Sequence, residues 1–195
     1  IYQNEPIKSA TAASDFDLTE LRKKKITLYI GISPDKLAIA KPILNIFFSQ
    51  LISLNTKELP ARNKELKYSC LLLMDEFTSI GNMPVLLKGV AYLAGYNLRL
   101  LTIFQTDSQL EAPPPEGYGR EGAKTLLANH SVKVWFAPDD EQAAERLSKR
   151  LGDVTVRVVS RGSSSNGSMF QGSSSKNVSE QKRALMLPQE LMELG

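Results

Sequence analysis

The 195-residue chain carries 24 Lys and Arg against 21 Asp and Glu, a net charge of +3, with 42% hydrophobic and 23% charged residues. That balance excludes disorder as the default state, and so small a charge neither requires nor forbids a nucleic-acid or acidic partner. A single cysteine, Cys70, excludes an internal disulfide and a cysteine-rich zinc site, and a reducing compartment fits best. The apolar runs fall short of the roughly 18 to 20 residues that span a bilayer, and the start lacks the pattern of a signal peptide. The piece is therefore expected to be soluble as it stands. The chain opens on Ile1 as if in mid-sequence, and it reads as a fragment of something longer.

Residues 1–24 form a polar entry segment that ends in the basic patch Lys23–Lys25. ITLYIGI (26–32) follows and reads as the first strand. Ser33, Pro34 and Asp35 then open a helix expected to run to about Leu54, with Pro42 bending it or delaying its regular start. YSCLLLM (68–74) is apolar without alternation, which fits a strand covered on both faces. A short helix over 84–94 closes at Gly95, and LRLLTIF (98–104) makes another buried strand. Beyond it, 120–128 is helical and VKVWF (132–136) is a strand with Trp135 in the core. PDD (138–140) opens a helix through Leu151, and 153–160 is a strand in which Val154, Val156 and Val158 alternate. Strand and helix in succession predict an α/β core over 25–160, with a mostly parallel sheet between helical layers. Gly and Ser dominate from 161 to 175, so 161–182 is expected to be a mobile segment, or the turn of a long hairpin. Residues 183–195 restore an apolar segment and a proline-started helix that docks back on the domain.

GYGREGAKT (117–125) superficially suggests a phosphate loop, but Ala123 separates the last glycine from Lys124, and the preceding EAPPPE (111–116) cannot be a central strand. It reads instead as a surface connection. The sharper signal is LLLMDE (71–76), a buried strand ending in two carboxylates at the carboxyl edge of a parallel sheet, where ligands of such folds bind. In phosphoryl-transfer ATPases this is the Walker B layout: Asp75 would help to hold magnesium, and Glu76 would polarise the attacking water. The alternative is that Asp75 and Glu76 merely end a strand and start a turn. Gln105, at the end of the next strand, could lie on the same edge and orient that water or sense the terminal phosphate; otherwise it caps the helix begun at Asp107. His130 reads as a surface or capping histidine and Ser163–Ser165 as linker. Lys23–Lys25 reads as a solvated edge, with nucleic-acid contact the alternative.

The blocks PIKSATAASDFDL (6–18), ITLYIGISPDKL (26–37), LLLMDEFTSIGNMP (71–84), AYLAGYNLRLLTIFQTDSQL (91–110) and RALMLPQEL (183–191) resemble the type IV secretion coupling proteins. These are the TraG/TraD-type ATPases of conjugation and effector export, and the resemblance covers nearly the whole chain. It implies the carboxyl-terminal part of a RecA-like P-loop NTPase core, here without the Walker A unit. Asp75 would be the Walker B aspartate, Glu76 the catalytic glutamate and Gln105 the glutamine that senses the γ-phosphate, with ATP and magnesium as cofactors. Implied partners are DNA with its relaxase or protein effectors, the components of the secretion channel, and further copies in a ring, a hexamer. Implied too is a place on the cytoplasmic face of the inner membrane, anchored by segments upstream of Ile1. Where some members carry an arginine finger this chain has Tyr92, which leaves Arg99 and Arg120 as candidates. An FtsK-like DNA translocase and a non-hydrolysing recruitment scaffold are the alternatives.

Overall fold

The computed structural model describes residues 5–138, 140–164 and 173–194, which fall into two compact units, Ile1–Ser131 and Val132–Gly195. In the first unit, α1 (Glu5–Ala10) precedes a 3-10 turn (Leu18–Glu20) whose start is capped by Asp17, its carboxylate accepting the Thr19 N–H at 2.8 Å. A second 3-10 turn (Pro34–Lys36) leads into α2 (Leu37–Asn55), so Pro42 does not delay the helix but sits inside it. Pro42 removes one backbone bond near the amino-terminal end, where few are at stake. Leu44, Phe48, Leu51 and Ile52 recur at helical spacing and are buried, each contributing about 1.5–3 kcal/mol of burial free energy. The continuous helical stretch Pro34–Asn55 is, contrary to the expectation from its sequence, long and apolar enough to cross a membrane by length and composition. Here its inner face packs into the core cluster with Leu72, Met74, Phe77 and Leu98.

Strands β1 (Cys70–Met74) and β2 (Leu98–Thr102) pair in parallel, Cys70 opposite Leu98 and Met74 opposite Thr102. Between them run a 3-10 turn (Phe77–Ile80), α3 (Pro84–Gly89) and a further 3-10 turn (Leu93–Tyr96). The expected 84–94 helix is thus two shorter turns. After β2 come α4 (Asp107–Glu111) and α5 (Gly119–Asn129), which ends with His130 Nδ1 at 2.7 Å from the Leu126 carbonyl oxygen. One face of the β pair, with Leu72, Met74 and Leu98, is buried. The other, with Leu71, Leu73 and Leu101, is exposed, so the covering inferred for both faces is present on one. ITLYIGI, expected as the first strand, forms no ladder among the described residues, and Ile26, Tyr29 and Ile30 stay exposed. A strand pattern specifies a shape, and without a neighbour its backbone groups have nothing to pair with.

Arg22 is a buried cation inside this unit. Its guanidinium donates to Asn55 Oδ1 at 3.3 Å, to the Tyr96 carbonyl at 2.9 Å and to the Glu58 carbonyl at 3.3 Å, while burial pushes its pKa down. Asn55 in turn donates to the carbonyls of Leu18 and Leu51, both at 2.9 Å. One side chain therefore ties the entry segment to the end of α2 and to the turn that launches β2.

In the second unit, α6 (Glu141–Leu151) is capped by Asp140, whose carboxylate takes the Ala143 N–H at 2.9 Å. β3 (Asp153–Ser164) pairs antiparallel with β4 (Ser173–Ala184). The valine alternation at 154–158 belongs to a hairpin rather than to the parallel sheet, as period-two patterning favours. Residues 161–164 and 173–182 of the expected mobile segment are paired strand, and 165–172 lie outside the described residues. Short α7 (Pro188–Met192) packs on α6, and Ser148 Oγ donates to the Met186 carbonyl at 2.6 Å. VKVWF, expected as a strand, forms no ladder among the described residues; Trp135 is 38% exposed rather than in the core, with the Arg150 guanidinium 5.8 Å from its ring centroid.

Candidate functional site

Parallel pairing brings the carboxyl ends of β1 and β2 side by side, and with them the three residues singled out from the sequence. Past the end of the regular ladder, the Ile103 N–H donates to the Met74 carbonyl at 2.9 Å, and the Phe77 N–H donates to the Ile103 carbonyl at 2.8 Å. A regular parallel ladder would bond Ile103 to residues two apart; here they are three apart. Asp75 and Glu76 thus form a bulge of one extra residue, a device that turns a side chain out of the pleat. Glu76 sits in the left-handed region, φ 49° and ψ 46°, unusual for a residue with a Cβ.

Both carboxylates are exposed at this edge. Asp75 Oδ1 accepts the Glu76 N–H at 3.1 Å, which turns the Asp75 carboxylate back over the bulge. The Gln105 side-chain amide donates to Glu76 Oε1 across a long 3.5 Å hydrogen bond. Gln105 does not cap α4: Thr106 does, its hydroxyl accepting the Gln109 N–H at 3.4 Å. Gln109 Oε1 in turn accepts the Thr78 hydroxyl at 3.2 Å, joining α4 to the turn after Glu76. Among the described residues no three His, Cys, Asp or Glu side chains converge as a metal cage. A magnesium ion held by one carboxylate, water and nucleotide phosphates needs none, so Asp75 with Glu76 beside it fits such an ion.

The arginine candidates lie within regular elements rather than just past the strand ends. Arg99 lies within β2, opposite Leu71, and Arg120 in the first turn of α5; both are exposed, as is Tyr92. GYGREGAKT, expected as a surface connection, is a connection only at Gly117 and Tyr118; from Gly119 on it forms the first turns of α5, where Arg120, Glu121, Lys124 and Thr125 are exposed. Gly117 and Tyr118 are buried, and Gly119 at φ 67° opens α5. Sequence reasoning missed Tyr118, whose ring stacks on Phe77 at 5.4 Å and 13° and whose hydroxyl accepts the Met83 N–H at 3.2 Å.

Helices packed on parallel strands give the first unit an α/β fold of the RecA-like kind, with two carboxylates and a glutamine gathered at its carboxyl edge. The chain belongs to the family of the type IV secretory system conjugative DNA transfer proteins, whose profile matches residues 1–195. It is 32% identical over 185 residues to Protein VirD4 of Rhizobium radiobacter, an alignment covering 95% of this chain and 26% of that protein. Conjugal transfer protein TraG of Escherichia coli is 25% identical over 203 residues, covering 100% of this chain and 31% of TraG. Among solved structures, the unbound monoclinic form of the bacterial conjugative coupling protein TrwBdeltaN70 superposes with a TM-score of 0.66 at 18% identity. The match covers 93% of this chain and 39% of that one. Plasmid coupling protein TrwB in complex with the non-hydrolysable ATP analogue ADPNP matches with a TM-score of 0.63 at the same 18% identity, over 93% of this chain and 38% of its own. The chain thus spans about a quarter to two-fifths of the length of these relatives.

Proposed function

We propose that these residues form the carboxylate-bearing side of an ATP site in a type IV coupling ATPase. In such a protein, hydrolysis recruits DNA with its relaxase, or protein effectors, and moves them to the secretion channel. Glu76 polarises the attacking water, its carboxylate accepting the water proton as the water oxygen bonds the γ-phosphorus and the bond from that phosphorus to the bridging oxygen breaks, releasing ADP. Gln105 holds that carboxylate and reports whether the terminal phosphate is present. Asp75 helps to hold magnesium, which when bound neutralises charge developing on the phosphate oxygens. The ATPase works as a ring of identical copies, a hexamer, on the cytoplasmic face of the inner membrane.

The observation that carries this reading is the Gln105-to-Glu76 hydrogen bond, which unites two residues 29 positions apart at the ends of adjacent parallel strands. The lysine and amide cradle that grips the phosphates must come from a G-x-x-x-x-G-K-[ST] loop, a pattern these 195 residues do not contain. The test is Glu76→Gln in a coupling protein of the relatives' length: nucleotide binding persists while phosphate release falls by about 10² to 10⁴-fold. An unimpaired rate removes Glu76 from this role. The isolated 195-residue chain is expected to show no turnover, and robust hydrolysis by it would refute the account.

A further inference from the structure

Glu76 is held in an unfavourable backbone conformation, so something must over-determine it. The ladder bonds through Ile103 fix the bulge on the strand side. On the opposite side the chain continues directly into Phe77, which is 1% exposed and cannot shift without carrying Glu76 with it. The Tyr118 ring lies parallel to the Phe77 ring, and its hydroxyl accepts the N–H of Met83, itself wholly buried. One side chain therefore grips both ends of the 77–83 segment.

Tyr118 is itself anchored. Its backbone N–H donates to the Leu110 carbonyl at 2.9 Å, and the Gly119 N–H donates to the Ala112 carbonyl at 2.9 Å. Gly117 packs so closely that a Cβ there would lie 2.5 Å from the Ala112 oxygen. The grip thus runs from the end of α4, the helix that follows Gln105, to the residue after Glu76.

Resting on the functional reading above, we propose that Tyr118 is a positioning residue for hydrolysis. It holds Phe77 and Met83 so that the Glu76 carboxylate stays in register with Gln105, and it touches neither nucleotide nor water. Displacing a general base by a fraction of an ångström slows chemistry while leaving binding made elsewhere intact.

The experiment compares Tyr118→Leu, Tyr118→Phe, Leu126→Ala and Glu76→Gln in a coupling protein of the relatives' length, with kcat and the Kd for a fluorescent ATP analogue measured on folded protein. Leu126 is buried in the same core but lies about 12 Å further along α5, so its variant reports loss of packing alone. Tyr118→Leu is expected to lower kcat by about tenfold or more with Kd changed less than about twofold. Tyr118→Phe, which keeps the stack, should recover most of kcat, and Leu126→Ala should keep it. Equal loss in the Phe and Leu variants, parallel loss of kcat and affinity, an equal fall in Leu126→Ala, or unchanged kcat in Tyr118→Leu each overturns the proposal. Turnover persisting in Glu76→Gln would instead remove the functional reading, and this proposal with it.

Discussion

Gln105 donates its side-chain amide to the carboxylate of Glu76, joining residues that the chain separates by a helical connection and the whole of β2. The bond is long, 3.5 Å, and both side chains are exposed, so it orients the carboxylate rather than neutralising it. Replacing Gln105 with Ala in a coupling protein of the relatives' length should lower kcat by about tenfold with little change in nucleotide affinity. Steady-state phosphate release checks this, and an unchanged kcat would exclude Gln105 from the site.

Two glycines of the rejected phosphate loop should respond differently to alanine. At Gly117 the new Cβ would meet the backbone oxygens of Ala112, Gln109 and Leu110 at 2.5, 2.8 and 2.9 Å, none of which can move cheaply. Gly117→Ala should cost about 1–3 kcal/mol. At Gly119 there is open space, and only the φ of 67° resists, so Gly119→Ala should cost about 1 kcal/mol and Gly119→Asn less. Denaturant midpoints of the three variants would rank them; equal midpoints for both alanine variants would contradict the packing at Gly117.

Arg22 is 3% exposed and its guanidinium satisfies three oxygens, those of Asn55, Glu58 and Tyr96. Arg22→Met should destabilise by about 3 kcal/mol, because the Asn55 and Tyr96 oxygens lose their donor in a dry setting. Arg22→Lys should rescue little, since a point charge cannot reproduce the planar fork. Thermal unfolding would decide, and a lysine variant as stable as wild type would count against the fork.

Burial raises the Tyr118 phenol from 10.0 to about 12, so the fold prefers it neutral. The associated stability is complete below pH 10 and is lost as pH rises from about 10 through about 12. Urea midpoints across that window should fall more steeply in wild type than in Tyr118→Phe, and identical slopes would show that the ring is more accessible than its packing indicates.

The elements legible in the sequence were those whose pattern is local. An apolar run ending in Asp75-Glu76 and another ending before Gln105 specify two strands and their order, and the parallel register follows from the crossover between them. The bulge was not legible, because nothing in LLLMDE says that Glu76 takes a left-handed backbone; tertiary bonds through Ile103 decide it. Arg22 gave no signal, sitting beside three lysines as if on a charged edge. Tyr118 was hidden by the glycines around it, which drew attention as a loop while their smallness served to admit close backbone contacts. The strand patterns at 26–32 and 132–136 say nothing about a neighbour to pair with, and neither segment forms a ladder among the described residues.

The left-handed backbone at Glu76 sets conformational preference against chemistry at a single position. Glycine there would relieve about 1 kcal/mol of local strain and delete the carboxylate in the same step. Redesign guided by stability alone would therefore choose glycine and lose, for a firmer fold, the carboxylate proposed to activate water.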